Sequence, residues 1–296
     1  MKWTFDDIPE LSGKVVIVTG GNIGLGFQSS LRLARRGAHV VIATRKLSNG
    51  HAAEKRIRAL IPKASLETIA LDLLEGDNIR AFFDKFSANH NRLDILLNNA
   101  GVVNLENLRH TAEGHEMHMA TNHYGHFALT SHLFPLLCQT QDARVVTVTS
   151  AAYSSGGLHF DDMGWHKRSY SRLRAYGDSK LANLLFTRAL QNQFDRVGAQ
   201  ALSLSAHPGL TGTERQQTIG IGGKLAKFVA SSVDKGVVPQ LRAATDPSSE
   251  KCDFYAPKFG IRGPACKIKA KGDALDDALA IKLWRYTERV TSCSFT

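Results

Sequence analysis

Six short apolar runs, most of them rich in β-branched residues and each separated from the next by a helical pattern, constrain this chain more than any other feature. KVVIVT (14–19), HVVIAT (39–44), LETIAL (66–71), LDILLNN (93–99), ARVVTVT (143–149) and AQALSLSAH (199–207) read as short buried strands. Between them FQSSLRLARRG, AAEKRIRALI, NIRAFFDKF, MHMATNHYGHFALTSHLFPLL and KLANLLFTRALQNQF carry helical patterns. Strands buried on both faces and linked through helices make a parallel sheet covered on each side, so the expected architecture is a doubly wound α/β domain. Such sheets bind ligands beyond the carboxyl ends of their strands, where the strand order reverses.

The 296 residues contain no internal repeat and no low-complexity linker, and a single domain spanning 1–296 is expected. Two stretches break the pattern, 209–235 and 253–272, and both read as loops over the carboxyl edge of the sheet. The first is expected to be a substrate lid, with Ile219, Ile221, Leu225, Phe228 and Val229 supplying apolar surface. The segment 253–296 is expected to be a C-terminal extension that closes the site.

The formal net charge of +10 raises nucleic acid as a ligand, but the basic residues are scattered and form no K/R-rich block. No nucleic-acid partner is expected. No apolar stretch reaches the ~20 residues of a membrane span, so no transmembrane anchor is expected. The opening MKWTFDDIPE has neither a secretory nor a transit pattern, and the four cysteines contain no C-x-x-C pair. A reducing, cytoplasmic location follows as the expectation.

The join of the first strand and first helix is TGGNIGLG (19–26). Gly20-x-x-x-Gly24-x-Gly26 lets backbone amides at a helix N-terminus face a pyrophosphate, with Gly20 for the turn, Gly24 for close approach and Gly26 for helix–strand packing. A tight connection without ligand would use the same glycines. The second strand ends in Thr44, Arg45 and Lys46, without the acid that usually holds the ribose hydroxyls of NAD. Two cations suit a 2′-phosphate, so NADP(H) is expected in preference to NAD(H), although a solvated pair at a loop start would look alike. Downstream, YGDSK sets Tyr176 and Lys180 at i and i+4 on one helix face. An ammonium beside a phenol favours phenolate and prepares a general acid or base, while an exposed Tyr–Lys pair has the same spacing.

In order along the chain, TGGNIGLG, the aspartate of LDLL, NNAG, Asn122 in TNHYGHF, Ser150 closing VTVTS, YGDSK and HPG resemble the classical short-chain dehydrogenase/reductase family. The likeness runs from residue 19 to about residue 213. It implies a Rossmann-type fold and hydride transfer with a nicotinamide cofactor. It makes Tyr176 the proton donor or acceptor, and it has Lys180 hold the ribose and lower the tyrosine pKa. Ser150 would bond the substrate oxygen, and Asn122 would hold a water relaying protons to Lys180. The cofactor would be bound by Gly20, Asn22, Ile23, Gly24, Gly26, Arg45, Lys46, Asp72 (at the adenine), Leu73, Asn99, Ala100 and Gly101. Tyr176, Lys180, Pro208, Gly209, Thr211 and Thr213 would complete that set, Pro208, Gly209 and Thr213 flanking the nicotinamide.

GHEMHMATNHYGHFALT, YGDSKLANLLFTRAL, ATR after the second strand and a long Ser150-to-Tyr176 interval resemble the retinol-dehydrogenase-like branch, whose preference for NADP(H) agrees with Arg45. The N-terminal hydrophobic segment of the membrane-anchored members is missing, which argues against membrane-dissolved retinoids. The resemblance admits a homodimer through the helices around Asn122 and Tyr176, although no heptad or exposed patch can be read for it.

Histidines 110, 115, 118, 123, 126 and 132 raise zinc, but HEMH is not H-E-x-x-H and no third ligand has clear spacing, so no metal site is expected. Without G-x-S-x-G, Ser150 is not expected to be an acylating nucleophile. The leading expectation is a reversible NADP(H)-dependent carbonyl reductase acting on a small carbonyl or alcohol substrate, an apolar ketone or aldehyde. The alternatives are a reductase of an activated C=C bond and a non-catalytic NADP-binding sensor.

Overall fold

Residues 3–103, 105–209 and 233–295 are described by the computed structural model. The six apolar runs form six strands: β1 (Val15–Thr19), β2 (His39–Thr44), β3 (Leu66–Ala70), β4 (Ile95–Asn98), β5 (Arg144–Val148) and β6 (Leu202–Ala206). Two more follow, β7 (Phe254–Pro257) and β8 (Ala265–Ile268). The sheet order is β3-β2-β1-β4-β5-β6-β7-β8. All neighbours are parallel except β7 and β8, which form an antiparallel edge. The order reverses between β1 and β4, and the doubly wound reading holds.

The segment 253–272 is not wholly loop, contrary to the sequence reading, because it supplies β7 and β8. FYAP and ACKI are four residues each, too short for an alternation to be read, and both sit among glycines and prolines. Of the span 209–235, only Gly209 and residues 233–235 are described. The five apolar lid residues, Thr211 and Thr213 therefore lie outside the described residues.

The helices that matter for the site are α1 (Gly24–Arg35), α2 (Leu47–Leu60), α3 (Gly76–Asn89), α4 (Gly125–Gln139), α5 (Arg172–Arg196), α6 (Val238–Thr245) and α7 (Asp277–Thr291). Strand alternation divides the core into two layers. Ile17, Val41, Ile69 and Val145 face α3, α4 and α5, whereas Val16, Val40, Leu97 and Leu204 face α1, α2 and α6.

The outer side of α4 and α5 is covered by the chain's own C-terminal segment. Trp284 of α7 meets Phe127 at 4.8 Å between ring centroids, and Phe295 meets Phe127 at 5.0 Å and Phe134 at 5.1 Å. A dimer through this aromatic face would have to displace both. Among the described residues no helix is long and apolar enough to cross a membrane.

Candidate active site

A cleft of about 750 Å³ opens at the carboxyl ends of the strands. It is lined by segments that follow β1, β4, β5 and β6 and by one face each of α1, α2 and α5. Here the structure brings together Gly20, Asn22, Ile23, Gly24, Gly26, Asn99, Ala100, Gly101, Ser150, Tyr176, Lys180, Pro208 and Gly209. Arg45, Lys46, Asp72, Leu73 and Asn122 are not among its lining residues. Leu73 is buried in the core, where its carbonyl lies against Gly125, and Asp72 accepts from Leu74 N at 3.1 Å. Arg45 and Lys46 are exposed at the end of β2, and neither side chain makes a hydrogen bond or ion pair within the described residues.

The glycine turn is built as an anion cradle. Gly20 and Gly24 have φ of 64° and 57°, the left-handed region. Helix α1 begins at Gly24, and its N-cap residue Ile23 offers no side-chain acceptor. The first-turn amides are thus left for a ligand at the cleft. Gln28, whose buried Oε1 makes no hydrogen bond, lines the same cleft. Asn99 is locked beside the turn: its Nδ2 donates to Thr19 O at 2.8 Å, and Gln240 Nε2 donates to its Oδ1 at 3.2 Å. Thr19 Oγ1 in turn accepts from Asn99 N and Ala100 N, both at 2.9 Å.

Tyr176 is brought to Ser150 by close packing around the residue after it. A Cβ on Gly177 would lie 2.7 Å from Ala152 O, so only glycine lets the 3₁₀ turn Ala151–Ser155 rest directly on α5. The Tyr176 hydroxyl and Ser150 line the same cleft, and the serine lies close enough to lower the phenol's pKa. Lys180 Nζ donates to Val148 O at 3.0 Å and sits 5.6 Å from the Tyr176 ring centroid. The long interval before Tyr176 folds back on α5 through Asp178, which accepts from Gly157 N at 2.8 Å and pairs with Arg168 at 3.4 Å.

Asn122 is completely buried and lies in a π-helical stretch, Ala120–Tyr124, ahead of α4. Such bulges are frequent at functional sites. Its Oδ1 accepts from Val102 N at 2.8 Å, and its Nδ2 donates to Val102 O at 3.1 Å and Ser179 Oγ at 2.9 Å. The side-chain amide is committed to bracing 101–102 against the turn between Tyr176 and Lys180.

One expectation is reversed. The sequence reading has the ammonium pull the phenol down, yet burial pushes Tyr176 up to about 12, partly offset by the neighbouring Ser150. Burial also pushes Lys180 down to about 7. With the amine only about half charged near neutrality, its pull towards phenolate is weakened.

The shift at Lys180 has a consequence for stability. Its folded pKa lies below its ordinary 10.5, so the unfolded chain binds the extra proton between about pH 7 and 10.5. The penalty is therefore complete below the folded value and is relieved as pH rises towards 10.5. Lys180→Met is expected to melt above the wild type at pH 7, with a gap that narrows towards pH 10. Val148 O keeps its bond from Asn183 Nδ2 at 3.0 Å in the variant. Paired thermal melts across this range check it, and a gap independent of pH would refute it.

The sequence reading has a helical pattern at α2 but does not bring its residues to the site. Asn49, Ala52, Ala53 and Arg56 line the cleft, and Arg56 rests its guanidinium over the Phe27 ring at 4.0 Å. Their i, i+3, i+4, i+7 spacing marks one helix face and could have been noticed.

A family model described as short chain dehydrogenase matches residues 14–222. Human retinol dehydrogenase 13 is 35% identical over 95% of this chain and 85% of its own length. An uncharacterized protein from Mycobacterium paratuberculosis has a crystal structure 35% identical to this chain, with a TM-score of 0.85 and complete coverage of both chains. A short chain dehydrogenase from Shigella flexneri, solved complexed with NADP, shares the fold at a TM-score of 0.66 and 21% identity. That likeness covers 82% of this chain and 95% of the other.

Proposed function

Because this chain belongs to the short-chain dehydrogenase family, in its retinol-dehydrogenase-like branch, we propose that it is an NADP(H)-dependent oxidoreductase interconverting a carbonyl and an alcohol. The carrying observation is one cleft lined both by the uncapped N-terminus of α1 and by the Ser150–Tyr176–Lys180 set. A nicotinamide dinucleotide held there would supply the hydride equivalent. NADP bound to the Shigella flexneri protein of the same fold supports that choice.

Tyr176 gives its proton to the substrate oxygen during reduction and takes it back during oxidation. Ser150 hydrogen-bonds that oxygen and orients the phenol. Lys180 recovers its proton when an anion enters the cleft, and its ammonium then lowers the phenol. A phenol raised by burial and lowered by a charged neighbouring amine suits an acid that must also act as a base. Val103 and Val148 line the cleft with apolar surface, which fits an apolar ketone or aldehyde.

Arg45 and Arg56 are proposed to hold the 2′-phosphate, one from the end of β2 and the other from the lining face of α2. A hydrogen bond to a charged group contributes about 1.5–3 kcal/mol. Arg45→Ala or Arg56→Ala is then expected to weaken NADPH binding by at least about tenfold, with little change for NADH. Fluorescence titration with both cofactors, followed by turnover on ketones, aldehydes and activated alkenes, tests the whole reading. Equal losses for NADPH and NADH would remove the 2′-phosphate assignment. Turnover on alkenes alone would favour the C=C reductase, and binding with no turnover would favour a sensor.

A further inference from the structure

At the opposite edge of the sheet, where strands begin, three metal-ligating side chains converge. His39 opens β2, Glu67 lies in β3, and His90 follows the last turn of α3. His39 shares a strand face with Val41, and Glu67 shares one with Ile69, so both project towards the layer that α3 covers. Glu67 Oε2 lies 2.8 Å from His90 Nε2 and 3.7 Å from His39 Nε2. The donor atoms of all three residues fall within 4.8 Å of one another.

Two further features single out this cluster. His39 Nε2 is buried without a hydrogen-bond partner, since 3.7 Å to the carboxylate is too long for one. The other ring nitrogen, Nδ1, lies 2.7 Å from Ser65 Oγ. With the Nδ1 proton given to Ser65, the Nε2 lone pair faces Glu67 and His90, the orientation that outer partners impose on ligating histidines. Both rings are held, His90 stacking on Phe86 at 4.7 Å and tilting against His39 at 4.9 Å between centroids.

We propose that His39, Glu67 and His90 form a zinc(II) site that ties β2, β3 and the end of α3 together. Two imidazoles and a carboxylate are a known zinc donor set, with water in the fourth position. Tetrahedral bonds of about 2.0–2.2 Å separate donors by about 3.4 Å. The observed 2.8 and 3.7 Å lie on either side of that value and every donor pair lies within 4.8 Å, so side-chain rotations can bring the three donors around one ion. The cleft lies at the other edge of the sheet, so this metal acts on stability and takes no part in proton transfer at Tyr176.

The test uses the full chain after chelator treatment. Calorimetric titration with zinc chloride is expected to show one equivalent binding with a dissociation constant on the order of micromolar or tighter. Cobalt(II) should give the visible absorption of a four-coordinate N/O site, and zinc should raise the melting temperature. The double variant His39→Gln/His90→Gln should lose the tight equivalent, the cobalt spectrum and the thermal shift while still binding NADPH. Ser65→Ala should weaken zinc by roughly tenfold or more through the freed ring. Binding unchanged in the double variant, or binding only at millimolar zinc, would overturn the proposal.

Discussion

Tyr176→Phe is expected to lower turnover by about 10²–10⁴-fold while dinucleotide affinity stays near that of the wild type. The substitution removes one oxygen and leaves the ring, so the packing of α5 against Ala151–Ser155 survives. What disappears is the proton proposed to pass to the substrate oxygen. Lys180 does not replace it, because its Nζ is bonded to Val148 O and burial holds it near 7. The loss should fall on kcat and kcat/KM alike, the signature of an interaction made in the transition state. The pH dependence should go with it. In the proposed reaction, alcohol oxidation by the wild type would need phenolate and should accelerate as pH rises, whereas carbonyl reduction would use the neutral phenol that dominates at pH 7. Steady-state assays in both directions decide the matter: a variant keeping more than about a tenth of the wild-type rate would move the proton-transfer role elsewhere.

The residues proposed as the acid–base pair could be picked out because their spacing suits that chemistry. Tyr176 and Lys180 share a helix face at any burial, and β1 to β6 announce themselves as short apolar runs, most of them β-branched, that alternate with helical patterns. The sign of the tyrosine shift was not legible, since it depends on how completely the cleft excludes water, and no local pattern encodes that. Arg56 escaped for a related reason. An exposed arginine in a helix rich in charge looks like solvated surface until α2 is placed beside the glycine turn. Asn122 was visible as an oddity, a short amide inside a helix, but the π-helical turn and the grip on Val102 and Ser179 required the tertiary arrangement. The strands β7 and β8 were lost to brevity. Their place at the edge is fixed by pairing with β6 and with each other, not by any propensity in FYAP or ACKI.

Gly26→Ala tests the other half of the site, and the contact around it makes the expected effect large. A Cβ at this position would overlap the Gly20 carbonyl oxygen and lie 2.7 Å from Asn99 Nδ2. Neither neighbour can give way cheaply. The first is backbone in a turn whose residue has positive φ, and the second is bonded to Thr19 O while Gln240 holds the same amide. The chain must instead lift the start of α1 away from β1. Overpacking of this kind costs about 1–3 kcal/mol in stability, occasionally more. It also moves the uncapped amides at Gly24 to Gly26 out of register with the phosphates they are proposed to hold. Losing two charge-assisted bonds of about 1.5–3 kcal/mol each would weaken NADPH binding at least about a hundredfold. Gly76→Ala is the matched control: it also sits at the start of a helix, but its added Cβ meets nothing within 4 Å. That variant should bind NADPH as the wild type does, with stability unchanged or raised, because alanine favours the helix. If Gly26→Ala bound NADPH normally and melted normally, the close approach of α1 to β1 would not be what shapes the cleft, and the pyrophosphate would have to be held elsewhere.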